Sequence, residues 1–275
     1  MDVVDPPEAV HKTRRVQGEG GAKSREAAAT TAEWTAGRLA GQTVVVIGGS
    51  AGIGLETARL ARSAGADVVL TARNPERLER AAAEVGAVRA VAFEATDPAA
   101  LDDFFAELSR PVDHVLVTAG RPYYGPLAEI DVEQARRSVD DQLWLPVNVA
   151  RHAIGTVRPG GTLIFMSGTG ARRPGPGLAI PGAVAAAVRA LVANLALEVA
   201  PVRVNLIAAG FVDTPLSAEL LGDDLDERRE HLRETLPVGR VVGPEDVADL
   251  AVQIMVNTAL TGATFDIDGG QQLLS

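Results

Sequence analysis

The residues best suited to chemistry form a glycine-rich turn, Gly48-Gly49-Ser50-Ala51-Gly52-Ile53-Gly54, between an apolar run and a helical stretch. Glycine permits positive φ angles and lets backbone N–H groups approach a phosphate closely. The N-terminus of a helix adds unpaired N–H donors and a partial positive charge. Any tight turn can use glycine, but the place of this one, between a first strand and a first helix, predicts a dinucleotide pyrophosphate site.

The end of the second apolar run bears on the type of dinucleotide. A carboxylate there holds the ribose 2′-hydroxyl of NAD, whereas an arginine holds the 2′-phosphate of NADP. The run ends in Thr71-Ala72-Arg73-Asn74, with a guanidinium and no acid. We therefore predict NADP(H) in preference to NAD(H). The alternative is that Arg73 is an ordinary solvated charge in front of a helix.

The elements that position these residues follow a regular alternation. Apolar runs typical of buried strands lie at 43–47, 66–72, 88–93, 113–120, 162–166 and 202–209, and the segments between them have helical length and pattern. Such an alternation predicts a parallel sheet covered by helices on both faces, with ligands at the carboxyl ends of the strands. We expect one α/β domain over residues 41–275, a doubly wound Rossmann-type sheet of about seven strands.

Residues 1–40 differ from the rest, because they combine prolines, glycines and mixed charges without sustained apolar periodicity. We interpret them as a disordered or loosely packed arm. The alternative is an arm that packs on a neighbouring subunit through Trp34.

Composition narrows the possible functions. The 275 residues include 47% hydrophobic side chains, no cysteine and a net charge of −10. Without cysteine there is no disulfide, thiolate metal site or cysteine nucleophile, and the four histidines share no ligand spacing, so we expect no metal. The acidic charge argues against a nucleic-acid partner. The sequence has no uninterrupted apolar run of about 18 residues and no apolar core of a secretory signal at its start, so we expect a cytoplasmic protein without a membrane span.

Several motifs, in order along the chain, resemble the short-chain dehydrogenase/reductase family. Gly48, Gly52 and Gly54 match the family's Gly-x-x-x-Gly-x-Gly turn; DHVLVTAG (113–120) is similar to its fourth strand, PVRVNLIAAGFVDTP (201–215) to its Pro-Gly loop and LTGATFDIDGG (260–270) to its C-terminal signature. The resemblance implies an oxidoreductase with a small-molecule substrate, and a dimer or tetramer built through long helices near 131–158 and 178–200. It also implies further cofactor contacts, at Glu94, Ala95, Ala119, Gly120, Gly210, Val212 and Thr214.

The family's proton relay is missing. The resemblance implies a tyrosine donor with a lysine four residues later, a serine thirteen residues earlier and an asparagine on the fourth helix, and these positions are Pro181, Ala185, Gly168 and Gln142. The only lysines are Lys12 and Lys23, so no Tyr-x-x-x-Lys pair exists anywhere in the chain. Val117-Thr118 also replaces a family asparagine pair, which predicts the loss of polar links between neighbouring strands.

Three weaker groups are candidates to replace the relay. Tyr123 and Tyr124 follow the fourth strand and could donate a proton, or simply pack over the pocket mouth. Ser167 could hydrogen-bond a substrate oxygen, or cap the strand end. Arg172 and Arg173 could bind an anionic substrate, or be solvated loop charges, since guanidinium groups do not deprotonate in proteins.

Three functions follow from this pattern. The first is an NADP(H)-dependent oxidoreductase that works on a substrate with little need of an enzymatic acid, such as an iminium ion or an activated enone. The second is a catalytically inactive homologue that senses the nucleotide or serves as a scaffold. The third is a non-redox cyclase or lyase on the same fold.

Overall fold

The computed structural model describes residues 36–108, 111–172 and 174–274. The predicted arm therefore lies almost entirely outside the described residues, as do Trp34 and Arg173. The packed part of the chain begins before residue 41, because Leu39 is fully buried and its N–H donates to the carbonyl of Ala64.

The centre of the molecule is a sheet of seven parallel strands. They are β1 (Thr43–Ile47), β2 (Asp67–Ala72), β3 (Arg89–Ala92), β4 (Val112–Val117), β5 (Val157–Gly168), β6 (Arg203–Ala209) and β7 (Thr264–Ile267). Their order across the sheet is β3-β2-β1-β4-β5-β6-β7. The predicted doubly wound Rossmann-type sheet is confirmed. The order reverses direction between β1 and β4, and an open parallel sheet binds its ligands at such a switch point.

Helices cover both faces of this sheet. Along the chain they are α1 (Gly52–Ser63), α2 (Pro75–Val85), α3 (Pro98–Ala106), α4 (Val132–Val139), α5 (Leu145–Ala153), α6 (Ala179–Glu198), α7 (Pro215–Leu221), α8 (Leu225–Thr235) and α9 (Pro244–Val256). One buried apolar layer joins the sheet to α3, α5 and α6, and a second joins it to α1, α2 and α9. The β-branched residues of the central strands contribute to both layers, which explains their continuous apolar runs.

Several helices begin at side chains that cap them. Asn74, Asp97, Asp131 and Thr214 accept hydrogen bonds from the first N–H groups of α2, α3, α4 and α7. In α2, α3 and α7 the cap is followed by a proline in the first turn, where a missing N–H costs nothing. By contrast, α1 has no side-chain cap, and that difference becomes important at the site.

The expected long helix near 131–158 is interrupted and shorter than predicted. A π-helical turn, Asp140–Trp144, separates α4 from α5, with the Leu145 N–H bonded to the carbonyl of Asp140. The helical segment ends at Ala153. It is shorter than expected because β5 starts at Val157, five residues before the apolar run at 162–166 that predicted it. A π turn adds one residue to a helical turn and rotates the side chains beyond it, and such turns are frequent at functional sites.

Candidate active site

A cavity of about 260 Å³ opens at the carboxyl ends of the strands, beside the glycine turn. It lies between the start of α1, the ends of β4, β5 and β6, and the first turns of α6 and α7. Its lining comprises Gly48, Ala51, Gly52, Ile53, Gly54, Thr118, Ala119, Gly120, Pro122, Tyr124, Gln142, Met166, Ser167, Gly168, Gly170, Leu178, Pro181, Ala209, Thr214, Pro215 and Leu216. We call it the main cavity.

The glycine turn packs tightly against the end of β4. Gly48 has a φ of +100°, and a Cβ atom there would lie 2.6 Å from the Ala119 nitrogen. The Thr118 hydroxyl donates to the Gly48 carbonyl at 3.1 Å. The expected loss of polar links at this point is therefore wrong in part, because Thr118 supplies a hydroxyl that joins β4 to the turn.

The beginning of α1 fits a pyrophosphate group. Its N-cap, Ala51, offers no side chain to the first N–H groups, and its first turn contains no acidic residue. Gly52, Ile53 and Gly54 place this uncapped end on the wall of the main cavity. Unpaired N–H groups at a helix N-terminus are the usual ligands of a phosphate, so these residues suit the phosphates of a dinucleotide.

The end of β2 carries a cluster of charged side chains. The Arg73 guanidinium is 72% exposed and lies 3.6 Å from the Glu94 carboxylate. Nearby, Arg121 donates to Glu219 of α7 at 2.6 Å. This hydrogen bond lowers the pKa of Glu219, and the positive charges of Arg121, Arg73 and Arg77 lower it further. Three guanidinium groups therefore share one region, although Glu94 neutralises part of the Arg73 charge.

Sequence reasoning identified Arg73 but missed Arg77 and Arg121. The position of Arg121, directly after the glycine that ends the fourth-strand motif, was the available signal. The backbone N–H of Arg121 also donates to the Asp141 carboxylate. Desolvation raises the pKa of that carboxyl group. Asp141 belongs to the π-helical turn, so this contact connects that turn to the end of β4.

Some residues implied by the family resemblance lie outside the main cavity. The side chains of Ser50, Ala95 and Val212 are buried, and so is that of Ala185 on α6. Gly210 lies against Asp268, because a Cβ atom on Gly210 would be 2.5 Å from the Cβ of Asp268. The other three relay positions, Gln142, Gly168 and Pro181, do line the cavity.

The two tyrosines have different surroundings. The Tyr123 hydroxyl accepts a hydrogen bond from the Asp131 N–H at 2.7 Å, so it supports the start of α4 instead of lining the cavity. Tyr124 lines the cavity, but desolvation raises the pKa of its hydroxyl above the ordinary value of 10.0. A tyrosine that acts as an acid at neutral pH needs its pKa lowered by a nearby cation. Tyr124 can therefore donate a hydrogen bond but is a poor source of a proton.

Three further candidate side chains are not effective proton donors at neutral pH. Gln142 directs its amide nitrogen to the Ser138 hydroxyl at 2.8 Å. The Ser167 hydroxyl is buried and has no hydrogen-bond partner among the described residues. Arg172 forms an ion pair with Asp266 at 2.6 Å. It is therefore a paired charge, and not the solvated loop charge that is one of the two predictions for it.

Comparisons with known proteins agree with this geometry. A sequence model of the family described as enoyl-(acyl carrier protein) reductase matches residues 48–272. The short-chain dehydrogenase/reductase malC of Malbranchea aurantiaca is 28% identical, over 86% of this chain and 96% of its own. The NADP-dependent (R)-specific alcohol dehydrogenase of Lentilactobacillus kefiri is 30% identical, over 85% and 97%.

Solved structures are similar over most of the chain. The MalC reductase/Diels-Alderase of Malbranchea aurantiaca superposes with a TM-score of 0.80 at 27% identity, over 87% of this chain and 99% of that one. BdcA in complex with NADPH has a TM-score of 0.75 at 27% identity, over 84% and 95%.

The packing of the turn predicts the outcome of Gly48→Ala. The new Cβ would clash with the backbone of Ala119 at a strained φ, so we expect a loss of roughly 3 kcal/mol or more in the free energy of unfolding. Gly160→Ala is the matched control, because Gly160 has a φ of +81° with nothing within 4 Å of the added Cβ. The Gly160→Ala substitution should lower the free energy of unfolding by only about 1–2 kcal/mol, through backbone strain. Urea unfolding of both variants measures the difference, and equal losses would contradict the close approach.

Proposed function

The chain belongs to the short-chain dehydrogenase/reductase family of oxidoreductases, and from that premise we propose that it transfers a hydride between NADP(H) and a small organic substrate without a tyrosine–lysine relay. The observation that carries this proposal is the lining of the main cavity. Among the described lining residues there is no Asp, Glu, His, Lys or Arg, and Tyr124 is the only titratable side chain.

Such a lining determines which substrates can react. A general acid contributes about 10²- to 10⁴-fold to a reaction that needs a proton in the transition state. A plain ketone needs one, because the hydride leaves an alkoxide behind. A protonated imine does not, because its carbon accepts the hydride and the nitrogen becomes a neutral amine. We therefore infer that the substrate arrives already activated, as an iminium ion or an activated enone.

The protein contributes binding and orientation to this reaction. Bound NADPH would supply the hydride. The uncapped N-terminus of α1 would hold its pyrophosphate, and the apolar side chains of Met166, Leu178, Pro181 and Leu216 would exclude water from the reacting centre. Fixing donor and acceptor in contact removes most of the entropic barrier to such a transfer, so positioning alone can give substantial catalysis.

Two observations support NADP(H) in preference to NAD(H). Arg73, Arg77 and Arg121 lie together at the end of β2 and beside α7, where Arg73 is paired with Glu94 and Arg121 with Glu219, and their charges lower the pKa of the Glu219 carboxyl. A 2′-phosphate would gain from the same charges. Among the similar proteins, one is named NADP-dependent and another was solved with NADPH.

The substitution Arg73→Gln tests the cofactor preference. Hydrogen bonds to a charged group are worth about 1.5–3 kcal/mol, so the Kd for NADPH should rise about 10- to 150-fold. The Kd for NADH should change by less than about twofold, because NADH has no 2′-phosphate. Calorimetric titration measures both constants, and Arg80→Gln, on the exposed side of α2, is the control. Equal effects on the two nucleotides would contradict a role in binding the 2′-phosphate.

The choice of substrate tests the acid-free mechanism. With saturating NADPH, we expect kcat/KM for protonated 1-pyrroline to exceed that for acetophenone by about 100-fold or more. The reason is that a general acid would contribute about this factor to ketone reduction, and the cavity lacks one. NADPH deuterated at the nicotinamide C4 should transfer its label to the product amine. The background reaction without enzyme is subtracted. Fast ketone reduction by the pure protein would refute the mechanism.

Two alternatives remain distinguishable by the same experiments. Tight NADPH binding with no turnover of any electrophile would support a nucleotide sensor or scaffold. A cyclase function is favoured by one observation, the similarity to the structure of the MalC reductase/Diels-Alderase. Its test is conversion of a diene–dienophile substrate by the protein at equal rates with and without a reduced nucleotide.

We also propose a cytoplasmic homodimer or tetramer. By length and composition, α6 could cross a membrane, but one third of its most apolar 18-residue window is buried inside the fold. Its exposed side carries small side chains at Ala186, Ala187, Ala190 and Ala193, which allow two helices to pack closely. We expect Ala190→Arg to convert the oligomer to monomer in analytical ultracentrifugation, and a monomeric wild-type protein would contradict the proposal.

A further inference from the structure

A second groove adjoins the main cavity beside the first turn of α6. Its described lining contains only glycine, proline, alanine and leucine: Pro126, Leu127, Gly170, Ala171, Pro174, Gly175, Pro176, Gly177, Leu178, Ala179, Gly182 and Ala183. Two of these residues, Gly170 and Leu178, also line the main cavity. We call it the side groove. An apolar molecule could extend from one space into the other past these two residues.

The walls of the side groove are joined to each other by the backbone. The Gly125 N–H donates to the Gly177 carbonyl at 3.2 Å, which links the segment after β4 to the segment before α6. Gly170 lies beside Gly182, since a Cβ on Gly170 would be in ordinary van der Waals contact with the Gly182 Cα, at 3.9 Å. The prolines in the lining limit the φ angles of the same segments. The groove is therefore largely preformed, as apolar ligand sites usually are.

The nearest described cation does not make this groove an anion site. Arg172 follows Ala171, but its guanidinium is bound to Asp266. The groove therefore offers apolar surface and no hydrogen-bonding side chain from the described residues that line it. A charged or strongly polar substituent would lose its hydration there without compensation.

One polar group on the wall of the main cavity is unpaired. Ser167 lines the cavity, and its buried hydroxyl has no hydrogen-bond partner among the described residues. Buried hydroxyl groups in proteins are nearly always paired, so the hydrogen-bonding capacity of this hydroxyl is available to a ligand atom. A serine hydroxyl can accept from the N–H of a protonated imine or donate to a carbonyl oxygen.

We propose that the substrate is an elongated electrophile with one polar atom, which binds Ser167, and an uncharged, apolar extension, which occupies the side groove. The proposal rests on the function proposed above and specifies its substrate class. The reacting carbon then lies next to the anchored polar atom, inside the main cavity. The hydrocarbon body passes Gly170 and Leu178 and is buried against prolines and alanines.

Ala171→Leu tests the groove, because it adds bulk to the groove wall on a short 3₁₀ turn, Thr169–Arg172. The probes are 1-pyrroline and 2-phenyl-1-pyrroline with saturating NADPH. In the wild-type protein, kcat/KM should be at least tenfold higher for the phenyl compound. Ala171→Leu should reduce that value at least fivefold, mainly through KM, and leave 1-pyrroline unchanged. Ala128→Leu, an exposed alanine on another 3₁₀ turn outside both spaces, is the matched control.

Ser167→Ala tests the anchor, with Ser167→Thr as the variant that keeps a hydroxyl. Ser167→Ala should lower kcat/KM about tenfold for both probes without altering the Kd for NADPH. Ser167→Thr should recover most of the loss. Equal activity of the wild type and Ser167→Ala would overturn the anchor.

Binding of the product 2-phenylpyrrolidine to the NADP⁺ complex, followed by calorimetry, separates this proposal from the proposed function. If no imine is reduced but Ala171→Leu still weakens binding of the product at least fivefold, the hydride-transfer function fails and the groove assignment stands. If Ala171→Leu and Ala128→Leu bind the product equally, the groove assignment is overturned whatever the turnover.

Discussion

The architecture of the site depends on how closely the glycine turn approaches the end of β4. A Cβ on Gly48 would meet the backbone of Ala119, and the Thr118 hydroxyl binds the Gly48 carbonyl. This contact directs the uncapped end of α1 into the space between β1 and β4, where the strand order reverses. Side chains larger than hydrogen would push the turn outward and separate the helix N-terminus from the cleft that it serves.

The two ends of the cleft differ in charge. The guanidinium groups of Arg73, Arg77 and Arg121 lie at the outer end, where Arg73 is paired with Glu94 and Arg121 with Glu219, whereas the described lining of the main cavity has no charged side chain. Under the proposed function, the phosphates bind at the first end and the hydride acceptor is kept from water at the second. Nucleotide binding and hydride transfer would then use different parts of the cleft, which fits a chain in which Pro181 and Ala185 occupy the positions that the family resemblance assigns to tyrosine and lysine.

Sequence patterns predicted most of the fold because the signals were local. The apolar runs located β1 to β6 to within a few residues, except that β5 starts at Val157, ahead of its apolar run, and β4 ends at Val117; β7 matched none of these runs. The π-helical turn Asp140–Trp144 was missed because its side chains are compatible with an ordinary helix. The role of Thr118 was missed for a related reason, since a hydroxyl bond to the turn depends on where two distant segments meet.

The amino-acid sequence by itself determined the parallel sheet, the glycine turn and the loss of the relay, because periodicity, glycine spacing and the absence of lysine after residue 23 need no coordinates. Only the tertiary structure decided how the candidate polar groups are paired. It assigns Tyr123 to the start of α4, pairs Arg172 with Asp266 and leaves the Ser167 hydroxyl without a partner among the described residues. These outcomes depend on contacts between residues far apart in the chain, and no local pattern encodes the distance between them.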